Sequence, residues 1–227
     1  MWTIAIIAQK GGSGKTTLAE CLAVAAERAG RTAAILDIDP QTTAASWHDR
    51  RTADTPAVIP IPSSRIKEKL AVARQAGADL VFIDTPARLS EAALEAARHA
   101  DLVIIPARAT IKDLERVEAS LDLVKLAGSP PVFAVVTQVR PQGDRHQQAL
   151  EALQAIPLTV CPSTIGYRVA YEDADTLGQT PQETEPGGKA AAEIELVYRF
   201  TIEVLNQLTV SPEDTDAQRK IPARRAG

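Results

Sequence analysis

Short apolar segments alternate with longer amphipathic segments along most of this 227-residue chain. The apolar runs have the length of buried strands, and the segments between them repeat apolar residues at helical spacing. This pattern predicts strands at Trp2–Ala8, Thr32–Ile38, Val58–Ile61, Leu80–Ile83, Leu102–Pro106, Val132–Thr137 and Leu158–Cys161. The predicted helices cover residues 16–29, 41–51, 65–76, 90–99, 112–127 and 144–155, and a long C-terminal helix covers Lys189–Leu208.

Strands that alternate with helices predict an α/β fold, in which a mainly parallel, twisted sheet carries helices on both faces. We expect one domain over residues 1–208, with a polar loop at Thr180–Gly188 and a disordered polar tail over residues 209–227. In sheets of this kind ligands bind beyond the carboxyl ends of the strands. The residues that follow each strand are therefore the candidates for chemistry.

The clearest chemical signal follows the first strand, where residues 9–17 read QKGGSGKTT. A strand, a glycine-rich loop and a helix N-terminus in this order predict a phosphate-binding loop, as in P-loop NTPases. Its backbone N–H groups would cradle phosphates, Lys15 would reach the β- and γ-phosphates, and the Thr16 hydroxyl would bind Mg²⁺. The predicted nucleotide-binding residues of the loop are Gly11, Gly12, Ser13, Gly14, Lys15, Thr16 and Thr17.

A second lysine, Lys10, comes immediately before the glycines. A phosphate-binding loop does not need this side chain, because Lys15 already serves the phosphates within the subunit. Two lysines on one loop therefore suggest a nucleotide site that a second subunit completes. In a monomer without nucleotide we expect Lys10 to lie in solvent.

Carboxylates follow two of the predicted strands. Asp37 and Asp39 end the second strand on the same side, and Asp84 comes directly after the fourth. If the first two strands are neighbours, Asp37 and Asp39 lie beside the phosphate loop. A carboxylate there can hold Mg²⁺-bound water or orient an attacking water, although a turn or helix-capping role is open for either aspartate.

Composition narrows the function classes. The formal charge of −4 argues against a generally basic surface for nucleic acid, but a local basic patch stays open. Cys21 and Cys161 give neither a disulfide framework nor a metal-ligand set, which favours reduced thiols in a cytoplasmic protein. Apolar runs of the length that a membrane span requires are absent from the sequence.

Six sequence segments follow one another along the chain: QKGGSGKTT, LDIDPQ, LVFIDTP, ADLVIIPARATIKDLE, VVTQVRPQG and GYRVAYEDADTLGQTPQETEPGGKAAAEI. Together they resemble the ParA/MinD family of deviant Walker A ATPases, and in particular a small ParA-type partition or positioning ATPase without an N-terminal helix-turn-helix. The resemblance implies ATP or ADP with Mg²⁺, slow hydrolysis and an ATP-dependent homodimer. It also implies non-specific DNA binding by that dimer, a ParB-like or other cargo-linked activator, and a nucleoid-associated location, as in plasmid partition.

The resemblance also implies roles for single residues. Lys10 matches the signature lysine that crosses the dimer interface, and together with Lys15 and Asp39 it forms the catalytic set. Thr16, Asp39 and Asp84 match the Mg²⁺ side of the site. Thr137 stands where the family often has an asparagine near adenine, and the loop at Glu185-Pro186 resembles one that borders the base. Arg168 and Arg199 are the candidates for DNA binding.

Two other function classes are a membrane-docking ATPase and an ATP-using metabolic enzyme. A MinD-like ATPase would dock to membranes through a basic amphipathic helix, but residues 209–227 contain only Val210 and Ile221 as large apolar groups. An ATP-using metabolic enzyme, such as a carboxylate–amine ligase, would need a second substrate pocket that the sequence does not indicate. The cargo, whether plasmid, chromosome or protein cluster, is not specified by these motifs.

Overall fold

The structure is a computed structural model that describes residues 1–88, 90–108, 110–140 and 145–209. Its centre is a seven-stranded sheet in which every described pairing is parallel. The strands are β1 Trp2–Ile6, β2 Ala33–Asp37, β3 Ala57–Pro60, β4 Leu80–Asp84, β5 Leu102–Arg108, β6 Val132–Thr137 and β7 Thr159–Val160. The predicted parallel α/β architecture is confirmed. The predicted tail beyond Thr209 lies outside the described residues.

The helices are α1 Lys15–Arg28, α2 Thr43–Asp49, α3 Ile66–Gln75, α4 Glu91–Arg98, α5 Ile111–Leu126, α6 Arg145–Gln154, α7 Val169–Thr176, α8 Pro181–Thr184 and α9 Lys189–Thr209. They cover both faces of the sheet and form two apolar cores. One core packs α1, α2 and α9 against the sheet, and the other packs α3, α4, α5 and α6. Strand β1 and the residue after it contribute side chains to both cores, because Ile4 and Ile6 face the first core while Ala5 and Ile7 face the second.

The order of the strands determines which aspartate lies beside the phosphate loop. The sheet runs β3-β2-β4-β1-β5-β6-β7, so β4 lies between β1 and β2, and the condition that the first two strands are neighbours is not met. In the register of the sheet Asp84 stands opposite Ile6 on one side and Asp37 on the other. Asp84 therefore lies nearer the phosphate loop than either aspartate of the second strand. Hydrophobic periodicity does not encode strand order, so the sequence left open which strands are neighbours.

Two short helices were not predicted. The eight-residue α7 carries a weak apolar repeat, and α8 falls inside the segment that was predicted to be a polar loop. Helix α8 has a recognisable start, because Thr180 and Glu183 form a capping box around Pro181. That signal was present in the sequence, in the letters TPQE.

Candidate phosphate-binding site

The glycine-rich loop connects β1 to the N-terminus of α1 in a conformation that leaves room for an anion. Gly12 and Gly14 have φ angles of 71° and 89°, in the left-handed region where a side chain would be strained. Gly14 is the N-cap of α1, and neither a side-chain cap nor an acidic residue occupies the first turn. The free N–H groups and the positive end of the helix dipole can therefore bind phosphate oxygens.

Lys15 is the first residue of α1 and is only 6% exposed. Burial lowers the pKa of its ammonium group, while the charges of Asp84 and Asp39 act in the opposite direction. A buried ammonium is stabilised by anions that approach it closely. The position of this side chain thus agrees with its predicted role toward phosphates.

Thr16 and Asp84 fit a magnesium site. The Thr16 hydroxyl donates to Asp84 Oδ2 at 2.7 Å, and the fully buried Asp84 leaves its Oδ1 without a hydrogen-bond partner. Burial raises the pKa of Asp84 to about 7, although the Thr16 hydrogen bond opposes the shift. A buried carboxylate oxygen beside a hydroxyl is the hard oxygen set that Mg²⁺ prefers, and a bound cation would offset the cost of that charge.

The two aspartates that follow β2 have different environments. Asp37 is 1% exposed and accepts backbone N–H groups of Asp39 and Ala45, each at 3.1 Å, so it holds the start of α2. This is the capping role that the sequence left open. Asp39 is partly exposed, and its Oδ1 accepts the Gln41 N–H at 2.9 Å. Asp39 is therefore the more accessible of the two for a water molecule.

Lys10 does not lie free in solvent, so that expectation is wrong. Its Nζ lies 3.2 Å from Asp113 Oδ1, and its side chain is 34% exposed. Asp113, in the first turn of α5, is nearly buried and also accepts Arg108 Nε at 3.1 Å and the Thr110 hydroxyl at 2.5 Å. The sequence analysis did not predict that Asp113 pairs with Lys10 and Arg108. The pattern Thr110-x-x-Asp113 indicates only the N-terminus of α5.

The end of β6 contacts the phosphate loop directly. Thr137 is 3% exposed, and its hydroxyl donates to the Ser13 carbonyl at 2.9 Å. The next residue, Gln138, was missed in the sequence, and its Nε2 donates to the Gly12 carbonyl at 2.6 Å. Both side chains therefore hold the outer side of the loop.

A cavity of about 160 Å³ opens beside the loop, where a nucleoside could lie. Gly14 and Thr17 line one side, Thr137 and Gln138 another, and residues 165–168 close it. Thr137, which the sequence analysis placed near the base, thus lines this cavity. Pro186 is exposed and is not among the residues that line this cavity.

The two candidate DNA-binding arginines lie in different surroundings. Arg168 lines the same cavity and forms a two-pronged ion pair with Glu193, which also accepts the Gly166 N–H at 3.0 Å. Arg199 lies on α9 with a 71% exposed side chain and pairs with Glu195 one turn away. The structure therefore does not place the two arginines in one pocket.

The fold and the loop are those of a P-loop NTPase-like nucleotide-binding domain, and the sequence agrees. Residues 4–181 match the CobQ/CobB/MinD/ParA nucleotide binding domain family, and the chain belongs to that family. The chain is 24% identical over 202 residues to the maintenance of carboxysome distribution protein A of Halothiobacillus neapolitanus, covering 85% of this chain and 92% of the relative.

Two solved structures share the fold. A variant of Cyanothece McdA in complex with ATP is 17% identical and has a TM-score of 0.71, covering 91% of this chain and 96% of its own. The septum site-determining protein MinD of Pyrococcus horikoshii OT3, in complex with Mg-ADP, is 18% identical with a TM-score of 0.71 and coverages of 90% and 97%. The predicted cofactors, ATP or ADP with Mg²⁺, agree with the ligands of these relatives and with the family.

Among the described residues, none of the helices is both long enough and apolar enough to cross a membrane.

Proposed function

We propose that this chain is an ATPase that dimerises on binding ATP and positions DNA or another cargo. In the proposed cycle the ATP dimer binds nucleoid DNA without sequence preference. A cargo-linked activator of the ParB kind then stimulates slow hydrolysis, and the ADP form dissociates. Family membership and the similarity to a carboxysome distribution protein support a positioning role.

The observation that carries the proposal is the contrast between the two lysines of the loop. Lys15 is buried within its own subunit, whereas Lys10 is one-third exposed and held by an ion pair outside the phosphate loop. A γ-phosphate adds negative charge at this face, and exclusion of water by a second subunit would strengthen its attraction for a lysine. ADP lacks that phosphate, so the nucleotide would switch the assembly.

The other residues of the site fit a hydrolytic step. Mg²⁺, held by Thr16 and Asp84, would supply electrostatic stabilisation to the phosphates when bound. Asp39 is partly exposed and its charge raises the pKa of Lys15, which supports a role for Asp39 in orienting a water molecule for attack. Lys15 and a partner's Lys10 would neutralise charge as the bond to the leaving group breaks.

Sedimentation velocity in Mg-ATP, in Mg-ADP and without nucleotide tests the switch. The proposal predicts a dimer in Mg-ATP and a monomer in the other two conditions. Equal sedimentation in Mg-ATP and Mg-ADP would contradict it. Adding anionic lipid vesicles to the ATP sample distinguishes a membrane-binding ATPase, since the proposal predicts that the protein stays in the supernatant.

DNA binding is tested by fluorescence anisotropy with a duplex of random sequence. Binding should require Mg-ATP and weaken steeply with salt, because non-specific contacts are made to phosphates. Arg199→Ala should weaken binding, and Arg168→Ala tests whether the residue paired with Glu193 contributes. Arg65→Ala is the matched control, since it also removes an exposed arginine that is paired within its helical turn.

A further inference from the structure

The end of β6 approaches the phosphate loop from outside. Thr137 and Gln138 are consecutive in sequence, and they donate to the carbonyls of Ser13 and Gly12, which are also consecutive. Neither contact is to a neighbour in sequence, so the pairing depends on the fold. The motif of the loop does not predict it.

The backbone of Gln138 explains how both side chains reach the same loop. In an extended strand, successive side chains point to opposite faces of the sheet. Gln138 instead has a φ of 53°, in the left-handed region that non-glycine residues seldom adopt. This turn directly after β6 returns the Gln138 amide to the side on which the Thr137 hydroxyl already lies. The Gln138 contact thus depends on a backbone conformation that costs free energy in a non-glycine residue.

The contacts bear on how the loop binds anions. When the N–H groups of a phosphate loop turn inward, its carbonyls must turn outward and need donors of their own. Thr137 and Gln138 supply two such donors before any nucleotide arrives. The loop is thereby ordered in advance, and less of the binding free energy is lost in ordering it.

The same contacts commit donors of both side chains to the loop. The Thr137 hydroxyl gives its one proton to Ser13, and one N–H of the Gln138 amide is engaged by Gly12, so neither of these donors is available to a base. We infer that Thr137 and Gln138 are positioning residues that hold the phosphate loop in its binding shape, and that they act on the polyphosphate part of the ligand rather than on the base. This inference deepens the proposed function and rests on nucleotide binding at this loop.

The test compares ligands that share phosphates but differ in the base. Dissociation constants of Mg-ADP, Mg-GDP and inorganic tripolyphosphate are measured for the wild type, Thr137→Val and Gln138→Met, with tripolyphosphate as competitor of a fluorescent nucleotide. Each variant should raise the dissociation constants of all three ligands by the same factor, about three- to tenfold for one lost hydrogen bond. Thr137→Ser should restore wild-type binding, because it retains the hydroxyl.

Matched controls separate positioning from general stability. Thr201→Val removes another buried threonine hydroxyl that donates to a backbone carbonyl, on α9, and it should leave all three affinities unchanged. A loss confined to Mg-ADP, with tripolyphosphate unaffected, would show base reading and overturn the inference. Unchanged affinities in both variants would also overturn it. Failure of the wild type to bind any of the ligands would instead contradict the nucleotide site itself.

Discussion

The ion pair between Lys10 and Asp113 predicts that removing the acid makes ATP-dependent dimerisation easier. In the monomer Lys10 is held by Asp113 at 3.2 Å, on the same subunit. To reach a partner's phosphates, as proposed, Lys10 must leave this pair. Asp113→Asn removes the negative charge but keeps a side-chain oxygen that can still accept the Thr110 hydroxyl, and the N-cap of α5 is Thr110 itself. The variant should therefore release Lys10 without dissolving the local fold.

The magnitude follows from the exposure of the two partners. The Lys10 side chain is 34% exposed and that of Asp113 is 4% exposed, so the pair lies between a surface pair and a buried one. Such a partly exposed pair contributes about 1 kcal/mol. Two lysines leave their pairs for each dimer, which gives about 2 kcal/mol and a dissociation constant about 30-fold lower.

Sedimentation equilibrium in saturating Mg-ATP measures this constant, with hydrolysis slowed in the Asp39→Ala background. Asp122→Asn is the matched control, because it breaks an exposed ion pair with Lys125 on the same helix and should leave the constant unchanged. An Asp113→Asn dimer that is as weak as the parent, or weaker, would refute the reasoning. It would mean that Lys10 keeps its intrasubunit partner when the dimer forms.

Three further changes have defined outcomes. Asp84→Asn should raise the urea stability of the nucleotide-free protein at pH 8 by up to about 4 kcal/mol, since the raised folded-state pKa penalises the ionised carboxylate above pH 7. That gain should shrink as the pH falls from 7 towards 4, and Mg²⁺-dependent stabilisation should disappear. Gly178→Ala should lower the melting temperature more than Gly77→Ala. Both glycines have a positive φ, but only at Gly178 would the added Cβ lie 2.5 Å from the backbone nitrogen of Arg51. Asp39→Ala should slow phosphate release in a coupled assay and prolong the ATP dimer; rapid release would oppose its hydrolytic role.

The phosphate loop could be predicted from sequence because its geometry is local. Gly12 and Gly14 are needed for their left-handed backbone, and a strand and a helix flank them directly. The parallel sheet was also predictable, because buried parallel strands are nearly continuous apolar runs. The bounds of β6 were located correctly for the same reason, and those of α5 to within one residue because its apolar positions recur at helical spacing.

The partners of the loop could not be predicted in this way. Asp113 reaches Lys10 because β5 pairs with β1, and strand order is a property of the whole sheet. Gln138 reaches Gly12 through a single left-handed residue that nothing in the periodicity marks. Asp37 is structural and Asp39 is accessible because α2 begins where its Ala45 N–H reaches Asp37. Contacts between distant segments thus decide which polar residues are structural and which remain available to a ligand.

In the proposed function Lys10 acts across a dimer rather than within its own subunit. Sedimentation velocity of Lys10→Ala in saturating Mg-ATP, with nucleotide affinity measured on the same sample, tests it most directly. Lys125→Ala, which removes an exposed lysine from the ion pair with Asp122, is the control. We expect Lys10→Ala to bind Mg-ATP like the wild type but to sediment as a monomer, while the control dimerises. A Lys10→Ala dimer as stable as the wild-type dimer would contradict it.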